Sequence, residues 1–212
     1  MILSFENFVN ERYQQRDVQA LNAYMNDRKV KHSCKVAEIV KLFTDSEDLY
    51  QAALYHDYIE RGGKKEELLH LISPYATELV MHLTKTEDLA AQVEDDNETL
   101  AILRLAIENL PESVRNDIVV IKVADRADNL RKREKKGELS KGYIKKSAEL
   151  VEYLFNSYTG ANKKAFKKFI KKNFLSVHPK VEKMTKLPKI KLLALAAQAA
   201  VLDDAAINQV AG

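Results

Sequence analysis

In the stretch AALYHDYIERGG, four ionisable side chains follow an apolar run. His56, Asp57, Glu60 and Arg61 stand directly after Ala52, Ala53 and Leu54. Read as a helix, the spacing puts Asp57 on the side of Ala53, Leu54 and Tyr50, and His56 over Ala52 and Ala53. Glu60 falls one turn beyond both. The imidazole and the two acids are thus expected to face the interior or a cleft in it. Ionised carboxylates do not stay cheaply in such a place unless they are ion-paired or bound to a cation; otherwise they protonate.

Two further segments repeat the pattern. In KHSCKVAEIVKLF, His32 shares a stripe with Val36, Ile39, Val40 and Phe43. In VRNDIVVIKVADRADNLRKRE, Asp125 lies on the stripe of Ile118 and Ile121, and Asn129 follows one turn later. Two imidazoles and two carboxylates from three segments could surround one divalent ion. Mixed nitrogen and oxygen donors suit manganese, iron or zinc better than calcium or magnesium. Each piece has an ordinary reading as well. A histidine on an apolar face is commonly a hydrogen-bonded core residue, its neighbouring Asp a cap, and Ala124-Asp125-Arg126 a surface pair. The joint occurrence, in order and each time from an apolar stripe, favours the metal.

The elements that must position these residues read as helices almost throughout. Phe5, Phe8 and Val9 form an amphipathic start, and Leu21, Tyr24 and Met25 the next turn. Ser46 with Asp48 opens a helix, DLYQAALYHDYIE, expected to run to Gly62-Gly63. A segment from about Lys65 through LLHLISPYATELVMHLTK breaks near Pro74. An acidic stretch from Glu94 to Glu98 leads into TLAILRLAIENL, and Pro111 ends that helix or starts the next one. IVVIKVA alone could be a strand, but the helical period continues through Asn129 and Leu130. Gly137 and Gly142 mark a loop, YIKKSAELVEYLFNSY is amphipathic, and Gly160 ends it. The fold class is all-α. The domain is expected to span residues 1–174, with 175–212 an appended tail.

Composition narrows the rest. The 212 residues are 46% hydrophobic and 31% charged, which fits a packed core under a charged surface. Six Gly and four Pro favour helices. A net charge of +3 gives no general reason to expect nucleic acid as a partner. The single cysteine, Cys34, excludes an intrachain disulfide and makes a cytoplasmic setting the default. The first residues lack the pattern of a signal peptide, and the longest apolar run, LLALAAQAAVL, is too short to span a bilayer.

The ordered set His32, His56-Asp57 and Asp125 resembles the HD superfamily of metal-dependent phosphohydrolases. The local text is similar to the hydrolase domain of the RelA/SpoT family, including its small stand-alone alarmone hydrolases. There the first motif is an apolar run, His-Asp, two residues, then Glu-Asp; here it is AALYHDYIER. The later motif resembles VKLADRLxNLR; here it is VIKVADRADNLRKR. ELVMHLTK looks like the connector and YIKKSAELVEYL like the helix after it, so the likeness spans roughly Asp27 to Tyr158. It implies a helical fold, a divalent cation, commonly manganese with iron or zinc as alternatives, and removal of the 3′-pyrophosphate from guanosine tetra- or pentaphosphate. Carried over by position, His32, His56, Asp57 and Asp125 would be ligands. Glu60 would order or deprotonate the attacking water, and Asn129 and Tyr143 would contact the nucleotide. This chain departs at Arg61, where the family has an acid. A fixed cation cannot accept a proton; it could hold a phosphate or pair with Glu60. The basic stretch ahead of the first histidine is shorter and has no Gly, with charge from Arg28, Lys29 and Lys31.

The first functional reading is therefore a nucleotide phosphohydrolase, with Glu60 and Arg61 as catalytic candidates. Arg28, Lys122, Asn129 and Tyr143 are candidates for the substrate. A nucleoside-monophosphate or deoxynucleotide phosphohydrolase with the same centre is the second reading. The third is a catalytically weak nucleotide-binding or scaffold protein, which Arg61 and the tail favour. Lys122, Arg126 and Arg131 flank Asp125 as phosphate candidates, each equally readable as a solvated basic face. KKAFKKFIKK is expected to pack Phe166, Phe169 and Ile170 inward and leave its lysines in water. Tyr50, Tyr55 and Tyr58 are expected at the core and its rim, and Cys34 as a small buried side chain. His70, His82 and His178 lack matching acids and are taken as ordinary. The tail either docks on the body or on a second subunit, or stays disordered.

Overall fold

Short polar side chains start the helices. Asn26, Ser46, Ser73 and Ser140 each accept a hydrogen bond from a backbone N–H in the first turn of the helix they precede, satisfying a donor the helix itself cannot. Pro74 stands at the first position after Ser73, where its missing N–H costs nothing. The computed structural model describes residues 15–85 and 97–174. It contains α1 (Gln15–Tyr24), α2 (Asp27–Lys41), α3 (Glu47–Leu54), a 3-10 turn (Ile59–Arg61) and α4 (Lys65–Leu71). After these come α5 (Pro74–Leu83), α6 (Glu98–Ile107), α7 (Glu112–Lys136), α8 (Lys141–Ser157) and α9 (Lys163–Phe174). There is no strand among the described residues, and IVVIKVA is helical, as its flanks require. No helix there is long and apolar enough to cross a membrane. The Phe5–Val9 start, Glu94–Asp96 of the acidic stretch, His178 and the 175–212 tail lie outside the described residues.

The spine is α7, 25 residues long. It packs against α2, α3, α5, α8 and α9, and α2 packs in turn on α3. Ile118, Val119, Val120, Ile121, Val123 and Ala124 are all essentially buried. Gly137 ends α7 at φ 71°, the left-handed conformation that glycine takes without strain. Gly142 lies inside α8 rather than in the loop.

The helix carrying the His-Asp pair stops earlier than its period predicts. α3 ends at Leu54, and Tyr55–Tyr58 form a turn before the 3-10 segment. The cause is local. The His56 ring takes the Ala53 carbonyl through Nδ1 at 2.8 Å, and that carbonyl would otherwise receive the Asp57 N–H. Tighter bonds come next, Tyr58 N–H to Tyr55 O at 2.9 Å and Gly62 N–H to Ile59 O at 3.0 Å. Tyrosine hydroxyls tie this turn to its neighbours. Tyr55 donates its hydroxyl to Asp17 at 2.9 Å, and Tyr24 and Tyr58 both donate to Glu67. Gly62 closes the turn at φ 100°, and Gly63 lies so close under the Tyr58 ring that an added Cβ would overlap it.

The basic helix packs its aromatic side as its pattern predicts, while Lys163 and Lys167 are half-buried, Lys163 over the Phe155 ring. Phe166 and Phe169 are buried and Ile170 packs against the core, while Lys164, Lys168 and Lys171 are exposed. Phe166 stacks on Tyr158 at 4.2 Å and meets Phe43 edge-on at 5.6 Å. Tyr55, Tyr58 and Cys34 are buried, and Tyr50 is half-buried under the Lys41 ammonium.

Phe166→Ala is expected to destabilise the chain by about 3–5 kcal/mol, the usual loss for a buried aromatic. Urea unfolding measures it, and a loss below about 1 kcal/mol would show that α9 is not part of the core. Gly63→Ala should cost about 1–3 kcal/mol by overpacking against Tyr58, visible as a lowered Tm.

Candidate metal centre

Three segments meet at one point. α2 presents His32, the turn after α3 presents His56 and Asp57, and α7 presents Asp125. One donor atom from each of His32, His56 and Asp57 lies within 4.8 Å of the others. Asp125 joins them: its Oδ1 is 3.1 Å from His32 Nε2 and 3.9 Å from His56 Nε2. Both histidines are almost fully buried, and the rings meet edge-on with centroids 5.1 Å apart.

The hydrogen bonds fix which nitrogen is free to ligate. A carbonyl only accepts, so the Ala53 bond obliges His56 to carry its proton on Nδ1. On a neutral ring its Nε2 is then a lone pair; that nitrogen is buried, without a hydrogen-bond partner and 3.2 Å from Asp57 Oδ1. His32 is held the same way, with Nδ1 2.7 Å from Asp128 Oδ2. Lys132 Nζ stands 3.0 Å from that same oxygen. Burial raises the Asp128 carboxyl, but His32 and Lys132 outweigh it and keep it ionised. It therefore accepts, and His32 Nε2 is left facing Asp125. Lone pairs and carboxylate oxygens pointed at one another repel unless a proton or a cation lies between them. The residues fit a divalent ion.

The surroundings hold the carboxylates charged. Burial pushes Asp57 up, and His56 with the more distant His32 and Lys29 holds it well below the usual range. Asp125 is lowered in the same way, burial being outweighed by His32, His56 and Lys122. For His32, burial lowers the ring, and the hydrogen bonds with Asp125 and Asp128 raise it further than burial lowers it. Lys29 Nζ and Arg61 Nη2 each stand 3.7 Å from Asp57 Oδ2. Arg61 thus reaches Asp57 and not Glu60.

A pocket of about 260 Å³ opens over the cluster. Glu60, Arg61, Lys122 and Asn129 line it with His32, Asp57 and Asp125, while Leu83, Ile102, Leu103 and Ala106 form an apolar wall. Glu60 is exposed at the rim, not interior, and its Oε1 accepts the Lys85 N–H at 2.9 Å. Asn129 donates to Asp125 Oδ1 at 2.6 Å, so it orients a carboxylate as well as lining the pocket.

Two expected substrate residues lie elsewhere. Tyr143 sits over the Arg126 and Arg133 guanidiniums, 5.2 and 4.1 Å from its ring centroid, in the α7–α8 packing. Arg126 itself reaches Ser147 rather than the pocket. Arg28 is exposed and does not line the pocket; Lys29, one residue on, does. Sequence reasoning also passed over two residues. Asp128, three after Asp125, is the buried partner of His32. His82 lines the pocket, and Glu78, one turn earlier on α5, has its Oε1 3.7 Å from His82 Nε2. The four-residue spacing of that acid and that imidazole was the available signal.

The model of the HD domain matches residues 12–164. The chain belongs to the HD domain family. HD proteins are in general metal-dependent phosphohydrolases, and they bind divalent metals. No curated protein and no solved structure matches the chain.

Asp125→Ala is expected to abolish retention of Mn2+ on gel filtration, read by elemental analysis. Asp128→Asn should keep the helical content and weaken Mn2+ binding by about 10–100-fold, the usual cost of losing the group that orients a ligating histidine. Calorimetric titration gives the number, and unchanged affinity would remove Asp128 from the site.

Proposed function

We propose that the chain hydrolyses a phosphorylated nucleotide, and that its substrate is guanosine tetra- or pentaphosphate, from which it removes the 3′-pyrophosphate. One observation carries the reading. A single pocket combines His32, Asp57 and Asp125, with His56 converging on them from the buried side, with the cations Lys29, Arg61 and Lys122 and an apolar wall. That is the combination a phosphoryl group on a nucleoside requires. The motifs AALYHDYIER and VIKVADRADNLRKR support the choice of substrate by their likeness to the alarmone hydrolases.

In this reading His32, His56, Asp57 and Asp125 hold the ion. A divalent ion, manganese by preference, supplies Lewis acidity, lowering the pKa of water from about 15.7 toward about 7 and offsetting charge on phosphoryl oxygens. Lys29, Arg61 and Lys122 draw the phosphates in and neutralise their equatorial oxygens. Glu60 stands at the rim, steadied by the Lys85 N–H, and accepts a proton from the attacking water. The water oxygen bonds to the phosphorus next to the ribose, the bond from that phosphorus to the 3′ oxygen breaks, and the 3′ oxygen takes a proton from solvent. The apolar wall of Leu83, Ile102, Leu103 and Ala106 accommodates the nucleoside.

The test is a nucleotide panel with the Mn2+-loaded chain. Pyrophosphate release from guanosine tetraphosphate is the expected result. Orthophosphate release from nucleoside or deoxynucleoside monophosphates would reassign the substrate, and binding without turnover of any nucleotide would overturn the enzymatic reading. Glu60→Gln should lower kcat by about 10²-fold or more while metal content stays the same; an unchanged kcat would remove Glu60 from the reaction.

A further inference from the structure

We propose that the groove between α2 and the C-terminal half of α7 binds a small molecule carrying condensed phosphates, and that its occupancy is transmitted to His32 through Lys132 and Asp128. The groove is a cavity of about 480 Å³ with no part in the pocket described above. Lys35 and Lys41 of α2 and Arg131, Lys132 and Lys135 of α7 line it, against two carboxylates, Glu38 and Asp128. The local positive excess equals the net charge of the whole chain. A groove lined by an excess of positive charge attracts anions.

The geometry points to a compact ligand. The volume falls in the range of small-molecule sites, about 300–1,000 Å³, and the cations come from both helices that border it. Arg131 and Lys135 are one turn apart on α7, facing Lys35 and Lys41 across the groove. Several cations around one groove match adjoining negative charges on one chain of phosphates better than a single carboxylate. Some are already fixed in place: Lys35 lies 2.6 Å from Glu38, and Lys41 lies over the Tyr50 ring at 4.1 Å. Ile39 and Leu42 give the floor an apolar part, and Leu42 is 66% exposed. That surface suits whatever organic group carries the phosphates.

The groove and the candidate metal centre share a wall that is one hydrogen bond thick. Asp128 lines the groove, and His32 lines the pocket. Asp128 Oδ2 serves both His32 Nδ1 and Lys132 Nζ. A phosphate that draws Lys132 toward itself leaves that oxygen to His32 alone. The orienting partner of a ligating histidine is thereby changed from outside the pocket, and by linkage the metal centre changes affinity for the phosphate in return.

The test is calorimetric titration of sodium tripolyphosphate into the full chain after chelator treatment, so that no metal competes for the probe. Arg131→Ala/Lys135→Ala should weaken binding by about tenfold or more, since charge-assisted contacts are lost. Lys122→Ala in the pocket and Lys164→Ala/Lys168→Ala on α9 should leave it within about twofold, as expected for charges that do not line the groove. Equal loss in Lys122→Ala would place the anion in the pocket, and equal loss in the α9 variant would reduce the effect to diffuse surface charge. Tighter binding of a single-stranded oligonucleotide, lost in the groove variant, would replace the small molecule by nucleic acid. Each of these overturns the proposal. For the relay, the 15N resonances of the His32 ring should move on saturation in the wild type and stay fixed in Lys132→Gln. Stationary His32 resonances in the saturated wild type would remove the coupling, whatever becomes of the nucleotide reaction.

Discussion

Everything at the centre of this molecule depends on two imidazole rings being held by their Nδ1 edges. Ala53 O holds His56, and Asp128 holds His32. Each bond commits a proton to one side of the ring and a lone pair to the other. Both lone pairs then face carboxylate oxygens at 3.1 to 3.9 Å. Without a proton or a cation between them such a gathering is repulsive, and isolated segments would not keep it. The packing of α2, α3 and α7 holds it together, with Lys29, Arg61 and Asn129 moderating the negative charge. Donors fixed before a cation arrives need little rearrangement when it does.

The spine α7 shows how one helix serves several sides. Asp125 and Asn129, one turn apart, face the pocket. Asp128 and Lys132 stand behind His32 and open on the α2 side. Arg126 and Arg133 grip Tyr143 and join α8. The sequence VADRADNLRKRE therefore looks like a run of charge, yet its members sort by the 100° step of the helix into site, support and anchor. A run that dense in charge stays helical because the preceding stretch from Ile118 to Ala124 is clamped in the core.

The same sorting decides how much of the site was legible in the sequence. His32, His56, Asp57 and Asp125 were legible because each interrupts an apolar stripe, and such interruptions need a cause. The helical reading of IVVIKVA was legible from its flanks. The end of α3 at Leu54 was not, since a side chain competing for one carbonyl decides it, and periodicity carries no record of that competition. Glu60 was placed one turn beyond the pair, and the 3-10 turn brings it to the pocket by another route, at the rim. Tyr143 and Arg28 do not line the pocket, for reasons of tertiary contact that a single sequence does not record: Tyr143 packs on Arg126 and Arg133, and Lys29 rather than Arg28 stands beside Asp57. Asp128 was hidden by its neighbours, one more acid in a charged run, although it was the acid a buried His32 required.

The charge balance of the pocket bears on what Arg61 does there. Asp57, Glu60 and Asp125 face Lys29, Arg61 and Lys122, while Lys85 is engaged with Glu98 at 2.5 Å. The three carboxylates and three cations leave the pocket close to neutral. A divalent ion entering alone would leave two positive charges in a partly buried place, which is costly unless an anion accompanies it. A phosphoryl dianion cancels that excess. With a second acid in place of Arg61, the same ion would be balanced by the protein itself and the phosphoryl group would have less to meet. In the proposed reaction Arg61 would shift part of the ion's neutralisation from the protein to the ligand, and its side chain, 39% exposed against 16% for Asp57, stands on the solvent side of the pair.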